Sequence, residues 1–225
     1  MLSSRQTIVI AGEELTLHGL KAVFWVKQKT LLLSDVHIGK VAHFRNNGIP
    51  IPAISAKNNY WNLSVLIEEF QPLHLIVIGD LTHSKANIEW EEFKDFMAMF
   101  PNLKKTVVIG NHDNYQSKAF VDLDFSIVET LELGPFKLIH EPQDSNTTDP
   151  NYYYLCGHIH PGIKLQGPAK TSLTLPCFYF GQHQGILPAF GAFTGFVPIK
   201  AQKRDRIYAI SEGNIIDLTA NKSTP

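Results

Sequence analysis

Five short stretches of this chain set acids, histidines or an amide directly behind an apolar run. Leu31-Leu32-Leu33 is followed by Ser34-Asp35-Val36-His37, and Leu75 to Ile78 by Gly79-Asp80. Val107-Val108-Ile109 leads into Gly110-Asn111-His112-Asp113. Leu138-Ile139 precedes His140, and Tyr152 to Leu155 precedes Cys156-Gly157-His158-Ile159-His160. Carboxylates, imidazoles and an amide oxygen are hard-to-borderline ligands, suited to Mn, Fe, Zn or Mg. Carboxylates on neighbouring strands repel unless cations lie between them. A ligand shared by two metals holds them roughly 3.5–4 Å apart, the spacing used for phosphoryl chemistry. Taken alone, each stretch is an ordinary strand end: DxH reads as a turn, GD is a common turn dipeptide, and a lone histidine after a strand is usually a core or surface residue. The ordered series is what points to a metal centre. The glycines before Asp80, Asn111 and His158 are expected to let the backbone turn sharply beneath it.

Such residues meet only if the apolar runs are strands of a common framework. Short apolar runs bounded by turn residues recur at Thr7–Ile10, Ala22–Trp25, Leu31–Leu33, Leu75–Ile78, Val107–Ile109, Leu138–Ile139 and Tyr152–Leu155. Two stretches have helical periodicity. Tyr60 to Phe70 puts Leu63, Leu66, Ile67 and Phe70 on one face, and Ile88 to Phe100 does so with Trp90, Phe93, Met97 and Phe100. Strand–helix alternation in this half predicts βαβ units, and beyond about Ser126 the pattern is mostly strands, which together predict a mixed α/β fold. In open α/β sheets, ligands bind beyond the carboxyl ends of the strands, and five strands here offer ligands at that edge.

The bulk properties narrow the function classes. With 225 residues and 44% hydrophobic content the chain can bury a substantial core, and no repeat or linker divides it, so one domain over 1–225 is expected. A net charge of −1 provides no global basic field for nucleic acid or an anionic membrane. Cys156 and Cys177 lack CxxC or zinc-finger spacing and read as small buried residues. The N-terminal stretch has no signal-peptide pattern and the longest apolar runs are strand-sized, so no membrane association and a cytoplasmic location are expected. Segment 143–151 reads as an exposed loop. Lys200, Lys203, Arg204 and Arg206, with Asp205 among them, read as a solvated hairpin rather than a nucleic-acid patch. The tyrosines at 152–154 and the aromatics at 178–180 read as sheet packing.

The series DxH, GD, GNHD, H and GHxH resembles that of the calcineurin-like metallophosphoesterase superfamily. Six longer blocks narrow the resemblance: residues 21–52 with "GKVAHFR" and "GIPIP", then "GDLTHS", "GNHD", "GHIHPG", "LPCFYF" and "LPAFGAFTG". Together they resemble the DNA-ligase-associated metallophosphoesterases, often called PdeM, from about Ala22 to Gly195. The resemblance implies a four-layer sandwich, with two mixed β-sheets face to face and helices on the outside. It implies two divalent metal ions, with Mn favoured and Fe, Zn or Mg as alternatives. Asp35, His37 and His160 would hold the first metal, Asn111, His140 and His158 the second, and Asp80 would bridge them. His112 would sit above the metals without ligating, and Asp113 would orient its ring and keep it charged. Glu141-Pro142, after His140, is a departure that bears on the second metal.

The activity so implied is hydrolysis of phosphodiesters by a metal-bridging hydroxide, with His112 binding a phosphate oxygen or protonating the leaving group. A DNA-repair-associated endonuclease or phosphodiesterase is the named form, and a DNA ligase or helicase the partner by family resemblance alone. Lys40, Arg45 and His83 are candidate phosphate contacts, beside His43. Other readings are a phosphomonoesterase or nucleotide hydrolase of the same fold, or a binding scaffold without catalysis. A scaffold has no need of His112, so that residue favours an enzyme.

Overall fold

The structure, a computed structural model, describes residues 4–46, 48, 54–83, 88–113, 117–144, 146–167, 171–192 and 194–219. Residues 49–52 of the "GIPIP" block, Ser84 and the last six residues of the chain lie outside them.

Sheet 1 has seven strands in chain order: β1 (Arg5–Ile10), β2 (Glu13–His18), β3 (Ala22–Trp25), β4 (Thr30–Ser34), β5 (His74–Ile78), β6 (Lys104–Val108) and β7 (Phe125–Val128). The first four pair antiparallel, and β4 through β7 run parallel. Parallel neighbours need crossovers, and helices supply them: α1 (Lys40–Asn46) and α2 (Ile54–Phe70) lie between β4 and β5, α3 (Ile88–Ala98) between β5 and β6, and α4 (Ser117–Asp122) between β6 and β7. Residues along β4 and β5 alternate between two cores. Leu31, Leu33, Leu75 and Val77 pack on the helical side with Leu63, Leu66, Ile67, Trp90, Phe93 and Met97. Leu32, Ile76, Ile78 and Val108 pack on the opposite side, against the second sheet. Burial on both faces is why these strands read as unbroken apolar runs.

Sheet 2 contains β8 (Leu131–Leu133), β9 (Phe136–Leu138), β10 (Tyr153–Cys156), β11 (Pro161–Gln166), β12 (Ser172–Phe180), β13 (Gln184–Ile186), β14 (Val197–Pro198), β15 (Arg206–Ser211) and β16 (Asn214–Asp217). Its spatial order is β14-β11-β12-β13-β10-β9-β8, with β15 pairing β12 and β16. Phe136, Leu138, Leu155, Phe178, Phe180, Tyr208 and Ile210 face sheet 1. Between them, Tyr154, Cys156 and Tyr179 point to the other side. Two mixed sheets packed face to face, with few helices, form the expected α/β sandwich. Helices α2, α3 and α4 pack on sheet 1.

The aromatic stretches are structural, since Tyr154, Phe178 and Phe180 are buried and the hydroxyl of Tyr152 donates to Glu132 at 3.0 Å. Both cysteines are free and buried, and burial pushes each thiol up to about 12. Arg206 leaves the basic cluster: its guanidinium donates to the hydroxyl of Tyr208 at 2.7 Å and to the carbonyl of Val9 at 2.9 Å, tying sheet 2 to sheet 1. Among the described residues no helix is long and apolar enough to cross a membrane.

Candidate metal centre

Register brings the ligands together. Ser34, Ile78 and Val108 lie side by side at the ends of β4, β5 and β6, so Asp35, Asp80 and Asn111 emerge on one edge. In sheet 2, β9 and β10 run parallel with Leu138 opposite Leu155, and His140 and His158 leave the same end. Hydrogen bonds continue past the strands: Asp35 N donates to the carbonyl of Gly79 at 3.1 Å, His37 N to Asp80 at 2.9 Å, and Gly157 N to His140 at 3.1 Å. His158 N donates to both oxygens of Asp35, at 3.1 and 3.0 Å, which joins the two sheets at this edge. The "LPAFGAFTG" block backs the same loop, with Phe190 N donating to Ser34 O at 2.8 Å and Gly191 N to Asp35 O at 3.0 Å.

The backbone here is strained. Asp35, His37, Asp80, His158 and His160 all adopt positive φ, at 50°, 53°, 48°, 69° and 49°. That conformation costs an ordinary residue about 1–2 kcal/mol, and it persists where surrounding structure imposes it. The three glycines differ from the sequence expectation. Only Gly79 has positive φ, at 73°. A Cβ on Gly110 would press on the backbone and carboxylate of Asp80, and one on Gly157 on the carboxylate of Asp35 and, at 2.8 Å, on Ser34 Cβ. Gly110 and Gly157 therefore make room for ligands rather than for turns.

Asp35, His37 and His160 form one compact group, and Asp35, Asp80 and His140 form a second. Asp35, fully buried, belongs to both, whereas the family resemblance implies that Asp80 is the shared ligand. In the first group His37 Nε2 stands 3.3 Å from His160 Nε2, which in turn lies 3.3 Å from Asp35 Oδ1. In the second, His140 Nε2 lies 3.5 Å from Asp80 Oδ2. His158 joins at the edge, its Nδ1 3.1 Å from His140 Nε2. Asn111 is exposed and its amide nitrogen donates to Glu141 Oε1 at 2.8 Å. Burial, reinforced by Lys40 and neighbouring histidines, pushes His37 down to about 2, so its imidazole is neutral with a lone pair for a cation. Nδ1 of His37 and of His140 are buried without a hydrogen-bond partner among the described residues. Paired imidazoles turned toward carboxylates fit divalent cations of the Mn, Fe or Zn type. A proton-mediated network alone would leave two buried acids facing each other.

His112 stands at the rim, its side chain 47% exposed and its Nε2 4.0 Å from Asp80 Oδ2, while its backbone N donates to Asp80 Oδ1 at 2.9 Å. Asp113 corrects the sequence expectation. Its Oδ1 accepts from Thr82 N at 3.0 Å and from the Thr82 hydroxyl at 3.3 Å, and its Oδ2 accepts from Gly110 N at 3.0 Å. Its buried carboxylate is engaged by the turns after β5 and β6, and burial raises its pKa against those donors. Its role is to lock those two turns. His83, expected only as a rim contact, packs between rings: centroids lie 5.1 Å from His112, 5.4 Å from His37 and 5.4 Å from His43. Lys40 is close enough to Asp35 and Asp80 to feel both charges. Arg45 is exposed on α1.

Glu89 is a residue that the sequence does not flag beyond an acid in the first turn of a helix. It is buried at 6% exposure, and its carboxylate accepts from Gly39 N at 2.8 Å and from Ala42 N. These are the orphan donors at the start of α1, so Glu89 fixes the helix carrying Lys40, His43 and Arg45 directly after His37. Glu89→Ala leaves those donors without their acceptor. The expected loss is about 1–3 kcal/mol, read as a lower Tm, with Glu89→Gln recovering part of it.

A pH prediction follows from burial. His37, at about 2, and His74, at about 4, are both held below the ordinary 6.5, chiefly by burial. A depressed pKa means that the unfolded chain takes up protons the folded one refuses. Stability of the metal-free protein is therefore complete above about 6.5 and falls as pH drops toward 4, by up to about 1.4 kcal/mol per pH unit for each such group. Denaturant titrations of chelator-treated protein at pH 7.5 and 5 measure this, and His74→Asn should flatten the slope.

Comparison with known proteins agrees with this geometry. A structure described as the crystal structure of Pseudomonas putida nuclease MPE matches with a TM-score of 0.81 and 32% identity, over 95% of this chain and 100% of that one. Two more distant structures also match. Yfce, a phosphoesterase from E. coli, has 15% identity over 83% of this chain and 96% of its own, with a TM-score of 0.45. A protein of unknown function from Aquifex aeolicus has 19% identity over 58% and 78%, with a TM-score of 0.41. No curated protein matches the sequence. Residues 28–167, which run from before Asp35 to beyond His160, match the family of calcineurin-like phosphoesterases. With that match over more than half its length and its strand-end acids and imidazoles gathered at one edge, the chain belongs to the calcineurin-like phosphoesterase family.

Proposed function

We propose that the chain is a divalent-metal-dependent phosphodiesterase of the DNA-ligase-associated, PdeM-like branch, acting on nucleic acid as an endonuclease in DNA repair. The observation that carries this is the meeting of Asp35, His37, Asp80, His140 and His160 at one sheet edge, with the exposed ring of His112 beside them. The similarity to a protein whose printed description is a nuclease supports the choice of substrate. Asp35, His37 and His160 would hold one cation and Asn111, His140 and His158 a second, with Asp80 serving both and Asp35 also within reach of the second group. Bound cations supply an activated water near neutral pH and neutralise charge on phosphate oxygens. His112, free to turn at the rim, binds a phosphate oxygen or gives a proton to the leaving oxygen. Lys40, Arg45 and His83 hold the flanking phosphates, while Glu89 and Asp113 keep the supporting turns in place. In this reading the enzyme is cytoplasmic and works with a DNA ligase or helicase; co-purification of either with the tagged protein is the check.

The test is to strip the protein with chelator, restore Mn, Mg, Zn or Fe separately, and assay a small diester, a monoester and a DNA strand in parallel. Activity on the diester and the strand, highest with Mn, is expected. Metal at 100 times its dissociation constant adds about 2.7 kcal/mol of stability, so Tm should rise with the same metals. A preference for the monoester would assign a phosphomonoesterase, and binding without turnover under every metal a scaffold.

A further inference from the structure

We propose that one strand of nucleic acid, passing through the metal centre, is held along the outer face of sheet 2 in two adjoining cavities that end at the Lys203-Arg204 loop. The proposal rests on the phosphodiesterase reading and adds to it a second binding site for the polymer.

The first cavity, about 480 Å³, begins at the metal centre. His158 and Glu141 line it, with Ile159, Ile186 and Lys200. The second, about 530 Å³, is lined by His183, Gln182, Lys203 and Arg204. Tyr179 and Gln184 line both, so the cavities share a wall and form one path. Lys200, Lys203 and Arg204 are exposed. The acid in their loop is turned inward: Asp205 is buried and accepts from the hydroxyl of Tyr179 at 3.1 Å and from Gln202 N at 2.6 Å. Asp205 therefore braces the loop. The other acid on the path, Glu141, takes the amide of Asn111 at the junction with the metal centre.

The chemistry suits a strand better than a free nucleotide. An apolar floor with amide and basic groups along it offers bases a surface to lie on and phosphates a series of cations. Each cavity has the size of a small-ligand site, room for a nucleotide or two of one strand and not for a duplex. Lys40, near enough to Asp35 and Asp80 to feel both charges, and Arg45, exposed on the same helix α1, line neither cavity. A chain held on both sides of the scissile bond is cut internally. An enzyme for terminal phosphates needs only one of the two sides.

The experiment compares the metal-loaded protein with a Lys200→Ala, Lys203→Ala, Arg204→Ala variant, and with Lys203→Ala alone. Affinity for a phosphorothioate-linked 12-nucleotide single strand, which resists cleavage, is measured by fluorescence anisotropy across salt concentrations. Each phosphate contact on a single strand contributes about 0.7 to the log–log salt slope. The triple variant should lose about 2 in slope and at least tenfold in affinity at low salt, and the single variant about 0.7. Hydrolysis of a small diester by both should stay within twofold of the parent. An unchanged slope overturns the proposal, as does an equal loss on the small diester. A duplex that binds as tightly as the strand, with the same loss in the variant, overturns the single-strand assignment. Failure of the phosphodiesterase reading shows separately, as a parent protein that hydrolyses no diester with any metal while strand affinity is still measured.

Discussion

His112→Ala lowers turnover by about 10²–10⁴-fold, the range set by losing a positioned proton donor, while bound metal stays near the parent's content. The reason lies in where the ring stands. It is 47% exposed at the rim, with its Nε2 4.0 Å from the nearest oxygen of Asp80, while the rings of His37, His140 and His160 are turned inward against buried acids. In the proposed function, removing an inward ring takes away a ligand, and removing this one takes away a group that faces substrate. Metal analysis of the purified variant, alongside steady-state assays, separates the two. If metal and activity vanish together, His112 is a ligand and the assignment of roles is wrong. His37→Ala is the contrast, expected to lose both. His112→Asn, which cannot donate a proton as an acid, should behave like the alanine variant unless phosphate binding is the larger part of its work.

Gly79→Ala is the second large effect, and it falls on stability and metal content together. The position has φ +73°, and a Cβ there would overlap the ring of His140 at its Nδ1. Left-handed backbone costs a residue with a Cβ about 1–2 kcal/mol, and overpacking a rigid site adds about 1–3 kcal/mol. The sum, about 2–5 kcal/mol, lowers Tm by roughly 4–20 °C in a chain of this size. The ring of His140 must leave its present place beside Asp80, so metal content falls even at temperatures where the variant is folded. Calorimetry and metal analysis at 15 °C measure both. Full metal content beside a lowered Tm would show that the ring of His140 is dispensable for holding the cation.

The stretches that read correctly from sequence share a physical property. β4, β5 and β6 are buried on both faces, so they appear as bare runs such as Leu31-Leu32-Leu33 and Leu75-Ile76-Val77-Ile78, and the polar residues behind them stand out. α2 and α3 read well because one face of each is buried against sheet 1. β2, with the sequence Glu13-Glu14-Leu15-Thr16-Leu17-His18, is half exposed and resembles a loop until its pairing with β1 and β3 is known. β15 and β16 are likewise recognisable only beside β12. Glu89 was illegible because its partners, Gly39 and Ala42, lie some 50 and 47 positions away and are backbone groups without a side-chain signature. For Asp113 the resemblance implies a partner for the ring of His112, while the turn directs its carboxylate to Thr82 and Gly110, contacts that no local pattern in the chain announces.

The sequence by itself determined the chemical inventory: which acids and imidazoles follow buried strands, in what order, and therefore the class of metal centre they can build. Ligand type is a property of each side chain and of its local run, and both are written in the chain. Only the tertiary structure decided how that inventory is shared out. The register between β4, β5 and β6, the seam where His158 meets Asp35, and the lack of room at Gly110 and Gly157 arise from contacts between segments far apart in the chain. Those contacts put Asp35 in both groups and Asp113 in the scaffold, because a side chain's partners are set by what packs against it and not by its neighbour in sequence.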